Sequence, residues 1–313
     1  MTAADLVQAF AARYDFPLDD YQAEACRRLA DGAGVLVAAP TGAGKTVVGE
    51  FAVFLARQEQ RKCFYTTPIK ALSNQKHHDL AGQYGAAAVG LLTGDQSVNS
   101  EAPVVVMTTE VLRNMIYARS RTLDGLGYVV MDEVHYLADR FRGPVWEEVI
   151  LGLDPAVRLV ALSATVGNVE EFGDWLDAVR GGVATVVSER RPVPLFQHVF
   201  AGRRLLELYA GPADGAAPPP VNPELLQLAR QESRQVRDDA RRPRGYGGRG
   251  RRRVAYGSGA FGGAAAGRFA AQSRLAPRRA DIVAELERRR LLPVIYFIFA
   301  RQGCDQAVRR LVA

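Results

Sequence analysis

The chain has 313 residues, 48% apolar and 24% charged, enough for a real core in one large domain or two. No apolar run approaches the length of a membrane span, and the opening MTAADLVQAFAARYDF carries acidic residues and lacks the continuous apolar stretch of a secretory signal. The net charge of +6 is unevenly spread: residues 241–279 hold eleven Arg and no Asp or Glu, and taking those eleven from +6 leaves −5 for everything else.

In chain order, the apolar runs that read as strands are VLVAA (35–39), CFYTT (63–67), VGLL (89–92), VVVMT (104–108), YVVMD (128–132), VRLVALS (157–163) and ATVVS (184–188). They are Val-rich and apolar throughout, as expected of strands covered on both faces. Amphipathic segments such as GKTVVGEFAVFLARQ (44–58) and NVEEFGDWLDAV (168–179) lie between them. This alternation predicts an α/β fold with a parallel sheet and helices on both sides. After about residue 200 the texture changes. AGPADGAAPPPVNPE (210–224) reads as a loop, residues 224–240 as a polar helix, and the Arg/Gly-rich stretch 241–279 as a disordered insert that cannot bury a core. Its Arg residues, interleaved with Tyr246, Tyr256 and Phe261, suit either an RNA-binding tract or a charged spacer. A helix, ADIVAELERRR (280–290), then leads into an apparent buried strand from Leu291 to Phe299 and a helix from Asp305 onward, which is how a new α/β domain begins.

The three cysteines, Cys26, Cys63 and Cys304, are far apart and odd in number, which excludes a disulfide framework or a clustered metal site and fits a reducing cytoplasm. Of 40 basic residues only four are Lys: Lys45, Lys62, Lys70 and Lys76. A chain that uses Arg almost everywhere has kept Lys in one window, where a compact point charge is wanted.

APTGAGKT (39–46) follows a strand and opens a helix. It has the P-loop form except that Ala39 stands where the pattern wants Gly. Within the loop Pro40–Thr41–Gly42–Ala43–Gly44, the glycines let the backbone wrap closely round phosphates, and the helix start aims free N–H groups at them. Lys45 is placed to reach the β- and γ-phosphates of a nucleoside triphosphate, and Thr46 to offer a hydroxyl to Mg²⁺. In VVMDEVHYL (129–137) an apolar strand ends in Asp132, suited to hold Mg²⁺ through its water shell, with Glu133 beside it to orient the attacking water. Adjacent carboxylates at a buried strand end are unfavourable unless a cation or substrate shares the site.

APTGAGKT, DEVH (132–135) and LSAT (162–165), in this order, resemble the superfamily-two DExH-box helicases. FPLDDYQ (16–22), TTPIKALSNQK (66–76), LLTGDQSVN (91–99), VMTTEVLRNMIY (106–117), DRFRGPVWEE (139–148) and RRPVPL (190–195) resemble the exosome-associated superkiller-type RNA helicases more narrowly. The resemblance implies a RecA-like ATP-binding lobe over 1–200, a linker over 201–240, the insert over 241–279, and over 280–313 the beginning of a second RecA-like lobe, cut short in a truncated helicase. It implies adenine recognition by Phe16 and Gln22, coupling of hydrolysis to movement by Ser163, Ala164 and Thr165, and a nucleotide-sensing role for His135. Nucleic-acid contacts carry over to Pro68, Lys70, Thr109 and Arg113, at strand ends that run into helix starts. The implied function is ATP- and Mg²⁺-dependent translocation on single-stranded RNA, with RNA-degradation machinery as a partner. A DNA-directed helicase, and a nucleotide- and RNA-binding module without turnover, stand as alternatives.

Overall fold

The computed structural model describes residues 2–140, 142–164, 168–211, 219–241 and 277–312. They fall into two compact units, Met1–Pro194 and Leu195–Ala313.

The first unit is built on an eight-stranded sheet. In chain order its elements are α1 (Ala3–Ala11), α2 (Asp20–Ala30), β1 (Gly34–Ala38), α3 (Thr46–Gln58), β2 (Lys62–Thr67), α4 (Lys70–Tyr84), β3 (Val89–Thr93), β4 (Gln96–Val98), β5 (Val104–Thr108), α5 (Thr109–Tyr117), β6 (Leu126–Met131), α6 (Gly143–Gly152), β7 (Arg158–Ser163), α7 (Val169–Arg180) and β8 (Val183–Val187). The sheet order is β4-β3-β5-β2-β6-β7-β1-β8. Every neighbouring pair is parallel except β3 with β4, an exposed antiparallel edge. β4 was not predictable as a strand, because its three residues are exposed and carry no apolar pattern.

Successive residues of each strand feed opposite faces, so one strand serves two cores. Val35 and Val37 of β1, Tyr65 of β2 and Val130 of β6 pack with Phe10, Leu29, Phe51 and Leu80 from α1 to α4. Leu36 of β1, Phe64 of β2 and Val129 of β6 pack with Leu112, Trp146 and Leu176 from α5, α6 and α7. These strands are therefore buried almost throughout and apolar except at ends such as Lys62, Thr66 and Thr67 of β2, and the parallel reading of the sequence holds for this reason. Helix starts are fixed locally: Thr2 and Asp5 form a capping box at α1, and Asp19 with Gln22 does the same at α2.

The second unit holds an antiparallel hairpin, β9 (His198–Ala201) and β10 (Arg204–Glu207), followed by α8 (Pro223–Arg241), α9 (Arg279–Arg288) and α10 (Arg301–Val312). Arg204 of the hairpin pairs with Glu224 at the start of α8. The expected strand Leu291–Phe299 does not form: this stretch is in no sheet, and Ile295, Phe297 and Phe299 are exposed. A strand exists only by exchanging hydrogen bonds with a neighbour, and among the described residues of this unit such pairing is confined to the hairpin and one isolated antiparallel bridge, Tyr209 with Val221. The helix expected from Asp305 begins four residues earlier, at Arg301. Nearly all of the Arg/Gly insert, residues 242–276, lies outside the described residues.

Candidate functional site

Because β1, β2, β5, β6 and β7 are parallel, their carboxyl ends share one edge of the sheet, where ligands of open α/β sheets bind. The motif residues follow those ends: Ala39 to Thr46 after β1, Pro68 and Lys70 after β2, Thr109 after β5, Asp132 to His135 after β6, and Ser163 with Ala164 at the end of β7.

The loop between β1 and α3 turns at Pro40, whose carbonyl accepts the Ala43 N–H at 3.1 Å. Gly42 and Gly44 have φ of +84° and +85°, which other residues rarely adopt. Gly44 is needed for space as well, since a Cβ there would lie 2.8 Å from Gln22 Nε2. Lys45 is 8% exposed, and its ammonium donates to the carbonyls of Ala39 at 2.8 Å and Pro40 at 3.1 Å. Burial lowers its pKa from the usual lysine value, opposed by the negative charges of Glu133 and Asp132. The ammonium is thus held on carbonyls of its own loop, acceptors that a phosphate could replace. Thr41 and Gly42 are exposed, and Thr46 stands at the first turn of α3.

Gln22 is 3% exposed and does not point into solvent. Its Oε1 accepts the Asp19 N–H at 2.8 Å, and its Nε2 donates to the Gly44 carbonyl at 3.0 Å. Tyr21 O–H donates to the Ala43 carbonyl at 2.5 Å. The start of α2 is therefore tied to the phosphate loop by two side chains. The adenine-reading role that the resemblance gives Gln22 would require its amide to leave one of these partners. Phe16, by contrast, is 52% exposed and rests against Tyr14 with ring centroids 5.1 Å apart, which leaves a ring face available for stacking.

Asp132 is held by three bonds: its N–H donates to the Thr66 carbonyl at 3.0 Å, Oδ1 accepts the Glu133 N–H at 2.9 Å, and Oδ2 accepts the Tyr65 O–H at 3.1 Å. Burial first, and then the adjacent Glu133, push its pKa above the ordinary carboxylate range. Glu133 has left-handed backbone, φ +55°, ψ +43°, which is strained for a residue with a Cβ. Its Oε2 is buried and accepts no hydrogen bond. His135 Nδ1 lies 3.2 Å from that oxygen and accepts the Ala164 N–H at 3.4 Å. Two crowded carboxylates, one with raised pKa and one with an unpartnered buried oxygen, form a donor set that fits a hydrated divalent cation.

Ser163 and the phosphate loop are joined directly, since the Ala39 N–H donates to the Ser163 carbonyl at 3.1 Å, and Ser163 Oγ donates to the Ala164 carbonyl at 2.8 Å. Through Ala164 and His135 the same segment reaches Glu133. Thr165 lies outside the described residues.

Along the same edge, Lys70 opens α4 and pairs with Asp95, while the Pro68 carbonyl accepts from Arg142 at 3.4 Å. Thr109 is fully buried at the first position of α5, and its Oγ1 has no hydrogen-bond partner. Arg113, one turn on, reaches Glu148 at 3.7 Å and Asn114 Oδ1 at 3.1 Å. The structure brings the phosphate loop, Ser163, Ala164, His135, Glu133 and Asp132 together through hydrogen bonds and the 3.2 Å approach of His135 to Glu133, and leaves Phe16 exposed beside Tyr14. Sequence reading missed Tyr65 and Asp95. An apolar strand run conceals a tyrosine whose only polar atom matters, and Asp95 lies in a segment quoted only for its overall likeness.

A phosphate loop and an Asp–Glu pair at the carboxyl edge of a parallel sheet define a RecA-like lobe of the P-loop nucleoside triphosphatase class. Residues 19–172 match the DEAD/DEAH box helicase family, and the chain belongs to it. It is 54% identical to the probable helicase HelY of Mycobacterium tuberculosis, over 98% of this chain and 32% of that protein. It is 38% identical to the DExH-box ATP-dependent RNA helicase DExH15 of Arabidopsis thaliana, over 95% of this chain and 26% of that protein. The antiviral helicase SKI2 of Saccharomyces cerevisiae is 43% identical over 64% of this chain and 16% of its own length. The chain thus spans a third or less of the length of each of these relatives.

Proposed function

We propose that this lobe binds ATP with Mg²⁺ and, within an ATP-dependent RNA helicase, couples hydrolysis to movement along single-stranded RNA. The observation that carries the reading is the bonded edge itself. Lys45 is bonded to its loop and the loop to Ser163, while the adjacent Ala164 meets His135, which lies 3.2 Å from Glu133, itself bonded to Asp132.

On this reading, amides at the α3 start and the Lys45 ammonium bind the β- and γ-phosphates. Thr46 and Asp132 hold Mg²⁺, which when bound would neutralise charge on the phosphate oxygens. The unpartnered Glu133 oxygen orients the attacking water and takes up its proton. Phe16 stacks on the adenine. The segment Ser163–Ala164–Thr165 reports the phosphate state, a reading supported by Ser163, which is bonded to the loop, and by Ala164, which meets His135 beside Glu133. The starts of α4 and α5, with Pro68, Lys70, Thr109 and Arg113, bind phosphate oxygens of the strand; Thr109, fully buried here, has to become accessible to take part. The naming of DExH15 as an RNA helicase favours RNA over DNA. We read 280–313 as the start of a second lobe and any RNA-degradation partner as acting through the longer protein.

The test is equilibrium binding of ATP·Mg²⁺ and of matched single-stranded RNA and DNA by the 313-residue chain and its Lys45→Ala variant. Loss of the ammonium should weaken nucleotide binding roughly tenfold or more, because hydrogen bonds to charged groups contribute about 1.5–3 kcal/mol, and should leave thermal melting unchanged. Equal nucleotide affinity would overturn the assignment of the loop. Tighter binding of DNA than of RNA would redirect the substrate.

A further inference from the structure

Of the four lysines in the 45–76 window, the proposed function uses Lys45 and Lys70, and Lys62 is paired with Glu101 at 3.1 Å. Lys76 has no part in it. It lies in the second turn of α4, mostly buried, with Nζ 3.4 Å from Glu50 Oε1 and 5.4 Å from the ring centroid of Tyr65. Glu50 belongs to α3, the helix that follows the phosphate loop, and its Oε2 accepts the Tyr14 O–H at 2.7 Å. The Tyr65 ring is packed closely by the same helix: a Cβ on Gly49 would lie 3.0 Å from its Cε2, so any larger residue there would have to push the ring aside. The Tyr65 hydroxyl then donates to Asp132 Oδ2.

We propose that Tyr65, oriented by Lys76 and Glu50, is a positioning residue that sets the carboxylate of Asp132 for metal. This inference rests on the reading of Asp132 as the metal-facing residue. The Glu133 N–H holds one carboxylate oxygen and the Tyr65 O–H the other, so the carboxylate plane is fixed by two donors, one just past β6 and one in β2. Neither donor uses up its oxygen, since an ionised carboxylate has about four acceptor sites. A ring clamped between Gly49 and a cation cannot swing its hydroxyl away, and partners of this kind around a metal ligand govern affinity.

The experiment titrates Mg²⁺ into the 313-residue chain with a fluorescent ATP analogue and reads the Mg²⁺ concentration that gives half-maximal binding. Tyr65→Phe keeps the ring and removes the donor. It should raise that concentration roughly tenfold, with Mg²⁺-free nucleotide affinity and thermal melting unchanged. Lys76→Met, which frees the ring, should raise it roughly threefold. If Tyr65→Phe melts below the assay temperature, Lys76→Met decides alone: a shift supports the positioning role and its absence overturns it. A Mg²⁺ dependence in the wild type that neither variant moves overturns the positioning role and leaves the metal reading intact. No Mg²⁺ dependence in the wild type overturns the reading of Asp132 itself.

Discussion

Val104 to Met107 and Leu291 to Phe299 are both dense apolar runs, yet the first is fully buried in β5 while in the second Phe297 is 80% and Phe299 108% exposed. Composition does not separate them. β5 has β3 on one side and β2 on the other, and its alternate side chains enter two cores. The 291–299 stretch is in no sheet, so its backbone lacks the partner that would turn an extended chain into a strand. An apolar run supplies the drive to bury surface, and a neighbouring strand edge decides whether that drive makes a sheet.

The largest expected effect tests the buried half of this comparison. Phe64 in β2 is fully buried in the cluster that includes Trp146 and Leu112. Phe64→Ala should destabilise the first unit by about 3–5 kcal/mol, through lost burial and the cavity left behind. Urea unfolding of the variant measures it. A loss below about 1 kcal/mol would mean that the two-sided packing of the strands is not what holds the sheet together.

A smaller effect of opposite sign is expected where the sheet ends in charge. The folded state raises the pKa of Asp132 by burial and by proximity to Glu133, so it holds the proton more tightly than the unfolded chain does. Stability therefore falls as pH rises from the ordinary aspartate value, about 3.9, through the raised one, and the penalty is complete above it. Asp132→Asn keeps an acceptor for the Glu133 N–H and removes that charge. It should stabilise the nucleotide-free chain at pH 7 by about 1 kcal/mol, with the gain vanishing toward acid pH. A variant less stable than wild type at pH 7 would show that the carboxylate is already compensated. The same substitution should impair Mg²⁺-dependent nucleotide binding, as expected of a site held in an unfavourable state for its ligand.

Much of this site was legible in the sequence because its signals are local. The phosphate loop sits between a Val-rich strand and a helix in the chain as in space, and Asp132 and Glu133 are adjacent residues. What was not legible depends on residues far apart in sequence. Tyr65 reaches Asp132 across 67 positions, and Gln22 is locked to Gly44 across 22. Neither strand nor helix periodicity encodes which polar atom of an otherwise apolar or helical residue will find a distant acceptor. The edge strand β4 was missed for a related reason, since an exposed strand needs only backbone pairing and leaves no apolar trace. The strand reading of 291–299 failed the other way, with the trace present and the pairing absent.

The smallest expected effect tests that exposed half. Phe299 is fully exposed and follows a stretch that is not part of any sheet. A side chain already in water in the folded state has little burial to lose, so Phe299→Ser should change unfolding free energy by no more than about 0.5 kcal/mol, as for surface substitutions generally. Set beside Phe64→Ala, the same loss of an aromatic ring would then differ in effect by several kcal/mol. The pair isolates burial from residue type. Consecutive exposed apolar residues also favour association between chains, and a second readout separates the two contributions. Sedimentation across a range of protein concentrations should show less self-association for Phe299→Ser, with the unfolding midpoint unmoved at the lowest concentration. A midpoint that falls substantially at low concentration would show that this ring is packed in solution and that the run from Leu291 has found a partner surface after all.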